Sequence, residues 1–179
     1  MGRTYARRPM KTAISSQQLV YFRRHGRVRF ENFPFQIMKQ SDSARDLWRE
    51  NPLLKKLILQ TLGPMALELA RKPSLRLACD HYLTDTARPT RIQDMFCFQG
   101  LICVFVFSHD PAEETLLDVF EPSSLTSLLP KEGYLVAFAL ENGILIENSK
   151  DPFNAATRNL GYVYGDRLVN PFHPLIMKK

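Results

Sequence analysis

From residue 75 onward the chain is written in short apolar bursts separated by turn residues. The bursts fall at 75–79, 95–98, 101–107, 116–120, 134–140, 144–146 and 159–164. Short strands at this spacing belong to a sandwich or a barrel. The residues before 75 read differently, with helical periodicity and helix punctuation. Helices first and strands afterwards predict an α+β fold, with N-terminal helices packed against one face of a double-stranded β-helix, a cupin-like jelly roll. The chain of 179 residues suits one domain with a substantial core. The expected division is a flexible basic leader over 1–14 and a single jelly-roll domain over 15–179.

The helical part has recognisable caps. Ser15 or Ser16 can cap a helix that carries Leu19, Val20 and Phe22 and stops at Gly26. Arg27-Val28-Arg29-Phe30 then alternates polar and apolar residues as a half-buried strand does. Two further helices are predicted over 42–50 and 52–62, with Pro52 in a first-turn position and Gly63 as a terminator. Pro64 starts another that ends before Pro73.

Charge is unevenly distributed. Residues 1–30 hold eight basic groups, Arg3, Arg7, Arg8, Lys11, Arg23, Arg24, Arg27 and Arg29, and no acid. The remainder holds 16 basic and 18 acidic residues, so the whole surplus of +6 comes from this segment. Such a block can attract nucleic acid or an acidic protein. Arg7, Arg8, Arg23, Arg24, Arg27 and Arg29 are the expected contacts, with Tyr5, Tyr21 and Phe22 among them. The bland alternative is a solvated basic face, which is what most charge runs are. The same composition is found in organellar transit peptides.

Several chemistries find no support. The apolar run at 100–107 falls far short of the ~18 residues of a membrane span. The N-terminal residues lack the apolar stretch of a secretory signal, which points to a cytoplasmic protein. Three scattered cysteines, Cys79, Cys97 and Cys103, do not make a disulfide framework and read as buried small hydrophobes. There is no G-x-S-x-G elbow, no P-loop and no G-x-G-x-x-G.

Four segments carry a resemblance. They are QQLVYFRRHGRVRFENF (17–33), LICVFVFSHDPAEETLLDVFEP (101–122), LPKEGYLVAFALENGILIENS (129–149) and NAATRNLGYVYGD (154–166). In this order and spacing the chain resembles the phytanoyl-CoA-hydroxylase-like branch of the iron(II)/2-oxoglutarate-dependent oxygenases. The resemblance implies a double-stranded β-helix with iron at one mouth, held by an H-x-D/E pair and a distal His, and hydroxylation of an unactivated C–H. It implies that Arg158, on a strand, clamps the co-substrate carboxylate in a bidentate pair.

The ligands depart from that pattern. None of His25, His81, His109 or His173 is followed two residues later by Asp or Glu. Where the family has H-Q-D this chain has Ile92-Gln93-Asp94, and Ile92 has no lone pair to donate. The distal position falls on Ile144 or Glu147, according to register, and Tyr134 replaces the Asp of a G-D pair. Cys79-Asp80-His81 is the tightest cluster of ligand types, followed by His109-Asp110, but neither has zinc spacing. The expected function is an oxygenase-like scaffold without catalysis, which binds a small carboxylate at Arg158 or a macromolecular partner. No metal ligands are assigned, and Fe(II) and 2-oxoglutarate enter only if the resemblance extends to function. Two alternatives stand: an active oxygenase with a rearranged site recruiting His81, His109 or Asp94, and a nucleic-acid-binding regulator using the basic N-terminal segment.

Overall fold

A capping box opens the described part of the chain. The computed structural model describes residues 13–35, 40, 42–84, 89–109 and 115–178. The leader expected over 1–14 falls outside these, apart from Ala13 and Ile14; Ile14 is buried. Helix α1 (Ser16–His25) begins where the Ser15 hydroxyl accepts from the Gln18 N–H and the Gln18 side chain accepts from the Ser15 N–H. Both orphan donors of the first turn are thereby satisfied. Gly26 closes the helix in the left-handed conformation and β1 (Arg27–Phe30) follows, with Val28 turned inward.

The next segment departs from expectation. The helix predicted over 42–50 is a two-residue strand, β2 (Ala44–Arg45), and one 3₁₀ turn over Leu47–Arg49. Asp46 takes a positive φ of 60°, and tertiary pairing overrides helical propensity. Residues 52–70 form one nearly continuous helical rod: α2 (Pro52–Leu57), a π turn over Ile58–Leu62, and α3 (Gly63–Ala70). Gly63 does not end a helix. It lies within the rod because a Cβ there would sit 2.8 Å from the Ile176 side chain. The wide turn lets the rod continue into Pro64, which has no N–H to give.

The sheet is antiparallel. Strands β3 (Ser74–Leu83), β4 (Phe98–His109), β5 (Thr115–Phe120), β6 (Gly133–Leu145) and β7 (Leu175–Met177) join β1 and β2 in the order β1-β5-β4-β6-β3-β2. Strand β7 shares with β2 the outer edge of β3. Residues Gly133–Ala139 of β6 are all buried, because both faces of the sheet are covered. On one face Leu77, Phe105, Phe107, Val136 and Phe138 pack against Phe22, Trp48 and the α2–α3 rod. On the other Ala78, Cys79, Val104, Leu135 and Ala137 meet a cover built from residues 89–98, 129 and 145–168. Each large side chain buried this way contributes roughly 1.5–3 kcal/mol.

The cover is mostly turns and short helices. Its strand pairing is a rudiment in which Phe98 and Gln99 pair with Leu145 and Ile144, and Ile144 bridges to Arg167. The strand expected over 159–164 is absent: helix α4 (Asn154–Arg158) precedes it and Gly161 turns at φ 98°. The fold class is nevertheless as read from the sequence, an α+β fold dominated by an antiparallel sheet with helices against one face.

Gly133 is the tightest point of the sheet. A Cβ there would lie 2.5 Å from the Phe107 carbonyl oxygen. Gly133→Ala must therefore open the β4–β6 pairing, with an expected cost of roughly 1–3 kcal/mol in urea unfolding. An unchanged midpoint would show that the two strands are farther apart than described.

Candidate functional site

A bulge in β3 between Leu77 and Cys79 sets which way its polar residues point. Past the bulge Cys79 and Leu83 join the cover layer and Tyr82 the helical layer. Adjacent residues Asp80 and His81 consequently serve opposite faces, and both are buried. The run Cys79-Asp80-His81 lies inside a ten-residue strand, so His81 does not end the strand as its sequence context suggests.

The cover side is organised by an ion pair. Arg45 lies opposite His81 on β2. Its Nη1 donates to Asp151 Oδ2 at 2.7 Å, and the two side chains are 4% and 0% exposed. Asp151 also accepts from the Cys97 N–H at 2.7 Å and from the Phe153 N–H at 2.9 Å. The Arg45 guanidinium lies 4.9 Å from the centre of the Phe153 ring and 5.5 Å from that of Phe96. The His81 ring meets Phe153 edge-on at 5.2 Å. Cys97 Sγ, 3.6 Å from Thr157 Oγ1, completes the cluster. Burial, with the Arg45 cation beside it, lowers the His81 pKa to about 4. Burial, reinforced by Asp151, pushes the Cys97 thiol up to about 12. Neither is a poised acid or nucleophile at neutral pH.

The helical side has its own polar node. Asp80 Oδ2 accepts from the Trp48 N–H at 3.2 Å and from the Tyr134 hydroxyl. Burial raises the Asp80 pKa to about 7; the Tyr134 hydrogen bond opposes that shift and the Asp46 carboxylate adds to it. Asp46 itself pairs with Arg49 at 3.0 Å. Tyr134 is thus the partner of a buried carboxyl. Below the sheet His173 places Nδ1 2.8 Å from the Ala78 carbonyl, and burial lowers its pKa to about 4.

The positions expected to hold iron are dispersed. Ile92 is fully buried in the apolar cover. Asp94 sits in the same 3₁₀ turn, half-buried, with its carbonyl accepting from Asn148 Nδ2 at 2.7 Å. Ile144 is in β6, and Glu147 is exposed beyond its end. His109 ends β4, and its side chain lies outside the described residues. Among the described residues no three His, Cys, Asp or Glu side chains converge as a metal site. Among the described residues the positions that the resemblance points to do not fit an iron centre: Ile92 carries an alkyl group, and the buried cation of the cover is a guanidinium. Arg158 is at the end of α4 and not on a strand; it is exposed, with its guanidinium 4.8 Å from the centre of the Tyr164 ring.

Of the expected basic contacts, Arg7 and Arg8 lie outside the described residues. Arg23, Arg24 and Arg27 are exposed. Arg29 is engaged in a bidentate pair with Asp118, at 2.9 and 2.8 Å. Arg45 and Asp151 were not legible as site residues. The stretch around Arg45 looks like an amphipathic helix, and Asp151-Pro152 looks like a turn.

No protein-family model matches the chain, and no characterised protein matches it by sequence. Solved structures do. The non-heme alpha-ketoglutarate-dependent carbocyclase SnoK from nogalamycin biosynthesis aligns at TM-score 0.60 and 11% identity, over 92% of this chain and 97% of that one. The non-heme alpha-ketoglutarate-dependent epimerase SnoN from the same biosynthesis aligns at 0.62 and 11%, over 89% and 97%. CT296 from Chlamydia trachomatis aligns at 0.50 and 15%, over 74% and 99%. The fold is therefore that of the 2-oxoglutarate-dependent oxygenases, and the resemblance read from the four sequence segments holds at the level of the fold.

Two outcomes follow from the buried charges. Arg45→Met leaves Asp151 buried without its cation, and the expected loss is about 3–5 kcal/mol. Arg45→Met/Asp151→Asn, which keeps an acceptor but no charge, is expected to be more stable than Arg45→Met alone. Additive losses in urea unfolding would show that the two groups are not coupled.

The pH dependence has a definite sign. His81 and His173, held neutral down to about 4, lose stability as pH falls below the ordinary imidazole value. Asp80, raised to about 7, loses it as pH rises from the ordinary carboxyl value through 7. Between about pH 4.5 and 6 the two imidazoles outweigh the one carboxyl, so stability rises by about 1.4 kcal/mol per pH unit. In Asp80→Asn that slope is expected to double. Identical pH profiles for the two proteins would contradict the Asp80 assignment.

Proposed function

We propose that this chain is a non-catalytic scaffold of the oxygenase fold, in which packing has replaced the metal centre. The observation that carries the reading is the buried Arg45–Asp151 pair lying in the same cover layer as Ile92. A ferrous ion needs lone pairs from imidazole and carboxylate. This layer offers an alkyl side chain, two protonated thiols, and a carboxylate already saturated by a guanidinium and two amides. A fixed cation in a medium of low dielectric also opposes entry of a second one. The likeness to SnoK and SnoN supports the scaffold, because a fold outlasts the loss of the ligands at its mouth.

Retained function in this reading is binding. Arg158 is the candidate for a small carboxylate: its guanidinium is exposed and makes no ion pair with the described residues, and the Tyr164 ring steadies its plane. The alternative of an active oxygenase would need His81 on a metal. His81 is instead enclosed by Phe153 and Arg45, with no acid of its own to orient it.

Anaerobic titration calorimetry with Fe²⁺, with and without 2-oxoglutarate, tests the proposal. No stoichiometric Fe²⁺ binding is expected under either condition. Any heat from 2-oxoglutarate alone is expected to disappear in Arg158→Ala. Micromolar Fe²⁺ binding that strengthens with 2-oxoglutarate, or succinate released in air, would overturn the reading.

A further inference from the structure

Helix α1 turns two unlike faces outward and inward. Leu19 and Phe22 pack into the helical layer. Ser16, Gln17, Val20, Tyr21 and Arg24 follow helical spacing along the opposite side and, with His25, line an open groove of about 340 Å³. Val20 is 54% and Tyr21 46% exposed, side by side on this helix. The Tyr21 ring lies over His25, centroids 4.3 Å apart, so an aromatic surface is already assembled in the free protein. Arg24 lines the same groove, and Arg23 and Arg27 are exposed near it in the sequence; none of the three is in an ion pair with another described residue. The carboxylates close by are otherwise placed: Asp118 is taken by Arg29, and Glu121 packs against Gly26. The sequence sends four more basic residues, Arg3, Arg7, Arg8 and Lys11, into the segment that precedes α1.

We infer that this face binds single-stranded nucleic acid, with Tyr21 and His25 as a stacking platform for a base and Arg23, Arg24 and Arg27 as phosphate contacts. Three observations favour that occupant over others. Charge of one sign concentrates on the segment while the rest of the chain is net −2, which suits a polyanion. An exposed ring flanked by guanidinium groups is the arrangement by which single strands are held without sequence readout. Among the described residues α1 has no second helix set against it for a groove, which is unlike the duplex-reading motifs. The surface lies on the helical side of the sheet, so the inference stands independently of what happened to the iron site. Helix-dipole compensation at the C-terminal end of α1 explains part of the preference for Arg23 and Arg24. It does not explain Val20 and Tyr21.

The experiment is fluorescence anisotropy of the full chain with 5′-labelled dT₂₀ and U₂₀ across a salt series. Anionic phosphatidylserine vesicles and polyglutamate serve as competitors. Three phosphate contacts give a slope of log K against log salt of about −2. Arg23→Gln/Arg24→Gln is expected to bring that slope to about −0.7. Tyr21→Ala is expected to weaken binding roughly 5- to 100-fold, the range for one lost base stack, with little change of slope. Melting temperatures close to wild type are expected for these variants, since all three side chains are exposed. The relative affinities for dT₂₀ and U₂₀ say which nucleic acid is preferred. No binding to either at low salt, a Tyr21→Ala variant that binds as well as wild type, or equal competition by polyglutamate or vesicles would overturn the inference.

Discussion

The Arg45–Asp151 ion pair is the interaction on which the rest of the cover side depends. It ties together the edge strand β2, Cys97 just before β4, and the turn leading to α4. Taking both charges out of water costs several kcal/mol per ion. That cost is offset only because Asp151 receives two backbone amides besides the guanidinium, and Arg45 lies against two aromatic rings. A pair built this way is poor at adding net stability and good at excluding alternatives, because any other arrangement leaves a bare charge inside. The polar residues of β3 take their places around it, His81 neutral on one face and Asp80 on the other.

The fold around this pair is oxygenase-like, and its interior is packed between the sheet and the cover. The chain aligns over 92% and 89% of its length with the alpha-ketoglutarate-dependent enzymes SnoK and SnoN. Between sheet and cover, Ile92 is fully buried in the apolar layer, and on the helical side the Tyr134 hydroxyl donates to Asp80.

The fold was largely legible in the sequence because burial on both faces of a sheet writes continuous apolar runs, as at 101–107 and 134–140, and because caps such as Ser15 and Gly26 are local. The departures share a cause. Residues 42–50 have helical periodicity, yet the partner that makes Arg45 a strand residue is His81, far along the chain. Gly63 looks like a stop and is a contact with Ile176, a neighbour no local pattern reveals. The departure from H-x-D at Ile92 was visible in the sequence. The ion pair in the cover was not: Arg45 and Asp151 are 106 positions apart, and neither residue type announces burial. Arg158 was readable by type, and its helix was not, since residues 154–158 are too few to show a period.

If the proposed closed packing is right, the space between Ile92 and the sheet admits no cation. The most direct measurement is methyl NMR of isoleucine-labelled protein titrated anaerobically with Mn²⁺, a paramagnetic stand-in for Fe²⁺, in the presence of 2-oxoglutarate. The Ile92 and Ile144 methyl signals are expected to keep their intensities through one molar equivalent of metal, while any broadening stays with exposed groups. Loss of both signals at stoichiometric Mn²⁺ would place a cation beside them and contradict the account.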